Sequence, residues 1–147
     1  MIRRIEPKDV DETLRVFRDA CTASHPFLKP EFIEATERKM RERTLFEFHT
    51  DVLDEGGIRA LLCRNGWGVE ALFVDPHFQS QGLGKRMLDH LKAQTNVVQL
   101  CVFAQNPRAI RFYQREEFYA LKIIDHRETG ESLVVLKWEG KNPVVTS

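Results

Sequence analysis

Three residues in one polar loop, Gln79, Gly82 and Gly84, carry the first chemical signal in the chain. They lie within GWGVEALFVDPHFQSQGLGKR, residues 66–86. Ahead of them Ala71, Leu72, Phe73 and Val74 form an apolar run suited to a buried strand, ended by Asp75-Pro76 because proline cannot donate to a ladder. Behind them Leu83, Met87, Leu88 and Leu91 recur on one face of a helix. Strand, glycine loop and helix start together make an anion cradle. The first amides of a helix have no intrahelical partner, and the macrodipole adds about half a positive charge there. Glycines at 82 and 84 let backbone close on a phosphate without a Cβ in the way. The same loop without a ligand is a tight strand-to-helix turn, and two glycines do not decide between these. The P-loop pattern is absent, and the third glycine of a dinucleotide fingerprint is replaced by Met87.

The second signal is NPRAIRFYQREEF, residues 106–118. Asn106 is a good N-cap and Pro107 suits the first helical position. With both motifs present in this order, the chain resembles the GNAT superfamily of acyl-CoA-dependent N-acetyltransferases. Gln79-x-x-Gly82-x-Gly84 behind a Val-Asp-Pro turn is similar to its pyrophosphate-binding segment. Asn106-x-x-Ala109-x-x-Phe112-Tyr113-x-Arg115-x-x-Phe118 is similar to its Asn…Phe-Tyr helix. One departure stands out: Glu117 occupies the position before the final Phe where the family usually has glycine.

The resemblance implies acetyl-CoA as cosubstrate and direct attack of an acceptor amine on its thioester in a ternary complex. Backbone amides of Gln79, Ser80, Gln81, Gly82, Leu83, Gly84 and Lys85 would then surround the pyrophosphate. Leu72, Phe73 and Val74 would pair with the pantetheine arm, and Asn106 would lie against it. Arg86, Arg108 and Arg111 are nearby cations suited to a 3′-phosphate, or ordinary solvated arginines. An oxyanion donor is expected among the strand amides near Phe73 or Val74.

Tyr113 matches the family tyrosine beside the sulfur. A phenol of pKa about 10 stays protonated at neutral pH and can donate as charge grows on the leaving thiolate. Phe112 reads as core packing. The acceptor ammonium must also lose a proton, and two residues compete for that task. Glu70 lies two residues before Leu72 and so on its face of the strand. His25, in the Ser24-His25-Pro26-Phe27 loop, has a reference pKa of about 6.5. For either, a structural hydrogen bond is the other reading. His49, His77, His90 and His126 show no ligand spacing, so no metal is assigned. Cys101 has no activating neighbour in the sequence, and no covalent intermediate is expected.

These residues need a scaffold, and 147 residues suffice for one domain. Acidic and basic residues balance at 22 each, which gives no field steering the protein to nucleic acid or membrane. No apolar run spans a bilayer and no signal core opens the chain. Cys21, Cys63 and Cys101 form no CxxC pair and read as buried thiols of a reducing cytoplasm. Helices are expected after Pro7, with Asp9 and Glu12 as a capping box, and over residues 30–43. Strands are expected at residues 2–5, 45–53, 58–63, 67–74, 97–103, 118–124 and 132–138, with an Asn65-Gly66 hairpin.

The order β-α-α-β-β-β-α-β-α-β-β gives an α/β (α+β) fold. Its sheet is mixed and mostly antiparallel, and residues 67–74 and 97–103 form a right-handed parallel crossover. By resemblance that pair splays apart, in a sheet of six to seven strands flanked by about four helices. Residues 1–140 form a single domain in this reading and 141–147 a loose tail. The acceptor is left open among protein lysine, a protein N-terminus and small-molecule amines, as is the choice of monomer or homodimer. A non-catalytic acyl-CoA-binding module is the alternative function.

Overall fold

A computed structural model describes residues 1–140, so the expected tail at 141–147 lies outside the described residues. The elements are β1 (Ile2–Arg4), α1 (Val10–Ser24), α2 (Pro30–Lys39), α3 (Leu45–Glu47), β2 (His49–Asp54), β3 (Ile58–Asn65), β4 (Gly68–Val74), α4 (Leu83–Lys92), β5 (Val97–Phe103), α5 (Pro107–Arg115), β6 (Tyr119–His126) and β7 (Glu131–Glu139). The seven strands lie in the order β1-β2-β3-β4-β5-β7-β6. Every neighbouring pair is antiparallel except β4 and β5. The expected architecture is therefore present, with the parallel pair in the middle of the sheet.

Strand alternation divides the core into two layers. Leu53, Leu62, Leu100 and Leu136 turn to one side and pack on Met87, Leu88 and Leu91 of α4. Val52 and Leu61 turn to the other and pack on Leu14, Phe17 and Ile33 of α1 and α2.

Four local expectations are corrected. Residues 45–48 are not strand: α2 runs on through a π-helical turn, Met40–Thr44, into α3, and β2 starts only at His49. The wider π turn brings Met40 and Leu45, five residues apart, into one core layer, and Leu45 is fully buried. Alternation over four residues was too short a signal to compete with that packing. The Asp9–Glu12 capping box is also absent. Asp9 accepts from the Glu6 amide at 2.8 Å and forks with Arg3 at 2.8 and 2.9 Å. Glu12 instead reaches β3, accepting from the Ile58 amide at 3.0 Å. The hairpin turn lies one residue later than expected, on Gly66-Trp67, because Asn65 pairs with Gly68 and Gly66 takes the positive φ of 62°. Cys21 and Cys63 are buried as expected, whereas Cys101 is exposed.

Candidate active site

The site begins where the sheet fails to close. β4 and β5 share a single paired position, Gly68 with Gln99, and beyond it their edges part. A β-bulge sits at the same place. Cys63 pairs with Ala71 and Arg64 with Val69, leaving Glu70 as the extra residue. The bulge resets the alternation: Val69, Leu72 and Val74 pack in the α4 layer, Ala71 and Phe73 in the α1 layer. Glu70 therefore does not share the face of Leu72. Its carboxylate acts instead on the Cys63 and Cys101 thiols, and Cys63 bonds the Thr44 carbonyl beneath α2. Glu70 is exposed on the α1 side of the gap.

On the other side of β4 the gap opens into a cavity of about 450 Å³. Its walls are Leu72, Phe73 and Val74 from β4, Gln79, Ser80, Gly82, Leu83, Gly84 and Lys85 from the loop and α4, and Asn106, Arg108, Phe112, Tyr113 and Arg115 from α5. Ala20, Ser24 and His25 close the α1 end. One cavity thus collects the expected cofactor residues apart from Gln81, which is exposed and not on its wall. Arg86 pairs with Glu55 at 3.0 Å and, like Arg111, does not line the cavity. Arg115 does, and its spacing of seven from Arg108 on one helix is the signal that would have found it. Phe112 is part of the wall as well as of the core, correcting its reading as packing alone.

The loop is held at its start by Asp75, which is buried and accepts from the His77 amide and ring at 3.0 Å each and from Arg15 at 3.1 Å. Burial works to raise its pKa, but these donors outweigh it and hold the carboxyl below its usual value. Ser80 and Gly82 then take left-handed conformations, φ 65° and 75°. Among the described residues, none of the amides from Ser80 to Lys85 donates to a protein acceptor. Unpaired amides at a turn into a helix form an anion-binding nest. A Cβ on Gly82 would meet open space, which leaves room for an anion. A Cβ on Gly84 would lie 3.3 Å from Phe112 Cζ, so this glycine lets α5 close on α4. Lys85 completes that junction by pairing with Glu116 at 3.1 Å.

Tyr113 is held by the end of its own helix. The Phe118 amide donates to the Tyr113 carbonyl at 2.9 Å and the Glu117 amide to the Gln114 carbonyl at 3.1 Å. This is a Schellman motif, and the Phe118 ring packs on Tyr113 at 5.3 Å as its hydrophobic contact. The motif requires a left-handed residue, and Glu117 supplies it at φ 72°. The replacement of the usual glycine therefore leaves the turn's shape intact and strains the backbone. Glu117→Gly is expected to stabilise the protein by about 0.5–1 kcal/mol, read as a rise of a few degrees in Tm.

The Tyr113 ring is buried, and its pKa is pushed far up by desolvation, so the phenol stays protonated. Its hydroxyl makes no hydrogen bond among the described residues and is not one of the sealed, unpartnered polar atoms, so it opens on the cavity. The Cys101 thiol is pushed above its usual value, by desolvation first and Glu70 next, against Lys122. Such a thiol is a poor nucleophile at neutral pH. Among the described residues no cluster of side chains could hold a metal ion, and no helix is long and apolar enough to cross a membrane.

The sequence pattern of the family described as "Acetyltransferase (GNAT) domain" matches residues 44–120, just over half of the chain. The chain belongs to the GNAT acetyltransferase family. It is 24% identical over 140 residues to the peptidyl-lysine N-acetyltransferase YiaC of Escherichia coli (strain K12), covering 94% of this chain and 96% of that protein. It is 28% identical over 121 residues to the peptidyl-lysine N-acetyltransferase YjaB of Salmonella typhimurium, covering 80% and 81%. Among solved structures, the solution structure of apo YjaB from Escherichia coli matches with a TM-score of 0.84 at 24% identity, over 95% of this chain and 97% of that one. PaiA N-acetyltransferase from Thermoplasma acidophilum, solved in complex with coenzyme A, matches at 0.73 and 18% identity, over 95% and 98%. The resemblance seen in the sequence is thereby established, and with it the reaction class: this GNAT enzyme is an acetyl-CoA-dependent N-acyltransferase.

Proposed function

We propose that this GNAT enzyme acetylates lysine side chains of proteins, by direct attack of the lysine amine on acetyl-CoA in a ternary complex within a single domain, residues 1–140. The observation that carries the reading is the shape of one cavity. Among the described residues it has unpartnered amides at one end, and at the other a buried phenol whose hydroxyl has no partner. The amides of Ser80 to Lys85 suit the pyrophosphate, and Lys85, Arg108 and Arg115 supply cations around it. The parted edge of β4 at Leu72, Phe73 and Val74 suits the amides of the pantetheine arm. Acetyl-CoA brings an activated acyl carbon; the chain orients it and moves two protons. The new bond joins amine nitrogen to acyl carbon and the carbon–sulfur bond breaks; Tyr113 donates its proton to the sulfur and is reprotonated, through water, by the second proton that the nitrogen sheds as the amide forms.

The acceptor approaches from the opposite face, and there the bulge presents Glu70. A carboxylate at that mouth attracts a lysine ammonium and takes its proton directly or through water. Protein lysine is favoured as acceptor because YiaC and YjaB carry that activity in their names. Glu70→Gln is expected to lower kcat/KM at neutral pH about tenfold or more, with the loss shrinking as pH approaches the amine's own pKa of about 10. A loss of equal size at every pH would assign Glu70 to binding instead.

The overall reading is tested by incubating the enzyme with acetyl-CoA and lysine peptides, beside amino acids and polyamines, while following free CoA thiol and peptide mass. Thiol release matched by acetylated lysine is expected. Release with small amines only would overturn the choice of acceptor. CoA binding without release over the panel would make the protein a non-catalytic acyl-CoA-binding module.

A further inference from the structure

His25 and Asn106 touch across the α1 end of the cavity, one at the end of α1 and the other at the start of α5. The Asn106 side-chain oxygen caps α5, accepting from the Ala109 amide at 3.2 Å. That contact fixes which way the side chain points, so its NH₂ group faces His25, with Asn106 Nδ2 3.3 Å from His25 Nε2. An amide nitrogen has no lone pair to offer, so Asn106 donates and His25 Nε2 accepts. The imidazole is then neutral and carries its proton on Nδ1. Nδ1 is sealed from solvent and has no hydrogen-bond partner within bonding geometry among the described residues. Phe27 and Phe103 enclose the ring edge-on, with centroids at 5.5 and 5.3 Å.

We propose that His25 is a positioning residue rather than the proton acceptor of the reaction: a neutral imidazole strut that sets Asn106 and the first turn of α5 against the acetyl-CoA cavity. The inference rests on acetyl-CoA occupying that cavity. A general base needs a free lone pair beside the amine, and the one lone pair of this ring is already engaged by Asn106. The environment favours the neutral ring. Desolvation holds the His25 pKa below its usual value, with the Cys21 main chain opposing weakly. The ring's own neighbours carry no formal charge: Phe27, Phe103, Asn106 and the Cys21 main chain. From the surrounding elements, Arg108 of α5 stands on the cavity wall and His126 of β6 lies beyond the Phe103 ring.

The strut has a consequence for pH. Protonation turns Nε2 from acceptor into donor, facing a donor, and the link to Asn106 breaks. Because the folded pKa is lowered, the link is present above the ordinary histidine value and is lost as pH falls through the folded one. Affinity for the acyl donor is therefore expected to fall on acidification.

Three measurements test this. The first is the tautomer, read from imidazole ¹⁵N shifts on the wild-type protein alone, with Nδ1–H expected. The second is dephospho-CoA binding by calorimetry between about pH 7.5 and about pH 5, the span in which a histidine changes charge. Dephospho-CoA lacks the 3′-phosphate, which would otherwise titrate in the same range. Wild-type affinity is expected to fall with acid. The His25→Gln variant, which keeps an acceptor but does not titrate, is expected to bind with a flat profile. The third is kinetics: His25→Phe leaves the Asn106 amide unpaired and is expected to raise the acetyl-CoA KM about tenfold with little change in kcat, and His25→Gln is expected to restore most of it. An Nε2–H tautomer, a His25→Gln profile identical to wild type, or a collapse of kcat at unchanged KM would each overturn the strut. Failure of wild type to bind CoA near neutral pH would strike the acetyl-CoA reading, while the tautomer would still decide the hydrogen bond.

Discussion

Tyr113→Phe is expected to lower kcat by about a hundredfold or more while leaving the acetyl-CoA Kd within about threefold of wild type. The argument is one of location. The ring is packed by Phe112 at 5.1 Å and Phe118 at 5.3 Å, and both contacts survive removal of one oxygen. Among the described residues the hydroxyl has no partner to leave unpaired, so folding stability is expected to hold. What disappears is the proton that this ring offers to the leaving sulfur. Acetyl-CoA in the ground state carries no charge there, so binding has little to lose. Steady-state thiol release, calorimetric Kd and a thermal melt together check the three parts. An unchanged kcat would remove Tyr113 from the mechanism.

Gly84→Val is expected to weaken acetyl-CoA binding about tenfold to a hundredfold, the equivalent of the 1–3 kcal/mol that overpacking typically costs. Even a single Cβ at this position stands 3.3 Å from Phe112 Cζ. Valine adds two methyls, and Phe112 is the ring through which that push reaches Tyr113. Gly82 makes an instructive comparison. Its Cβ would meet nothing, yet its φ of 75° disfavours any side chain, so Gly82→Ala is limited by backbone strain and not by collision. The two glycines of one motif thus serve different needs, one of conformation and one of clearance. Calorimetry on Gly84→Val decides the point, and a wild-type Kd would show that α5 yields without cost.

Much of this arrangement was legible in the chain. Both motifs are local, so Gly82, Gly84, Asn106 and Tyr113 could be placed on a loop, a helix start and a helix from spacing alone. The parallel pair followed from the sequence of elements, since two strands joined by one helix form a crossover of fixed hand. Glu117 was visible as a departure from a pattern that suggested a differently shaped turn, but its positive φ keeps the usual shape. What escaped were features set by long-range contacts. The bulge at Glu70 depends on how β3 pairs with β4, and a period of two read along one strand puts that side chain on the wrong face. The π turn at Met40–Thr44 arises because Leu45 finds a place in the core that simple continuation of α2 would deny it. His25 and Asn106 are 81 residues apart, and nothing local announces their bond.

The single rung between β4 and β5 has a consequence for the molecule as a whole. In an uninterrupted sheet, main-chain hydrogen bonds would knit β1–β4 to β5–β7 along their full length. In the proposed complex the acyl donor's pantetheine arm, itself a chain of amides, would stand in for the missing partner strand. Ligand and scaffold would then not be separate entities: the enzyme's own architecture would be finished only during turnover, and each round of product release would leave the seam unsewn again.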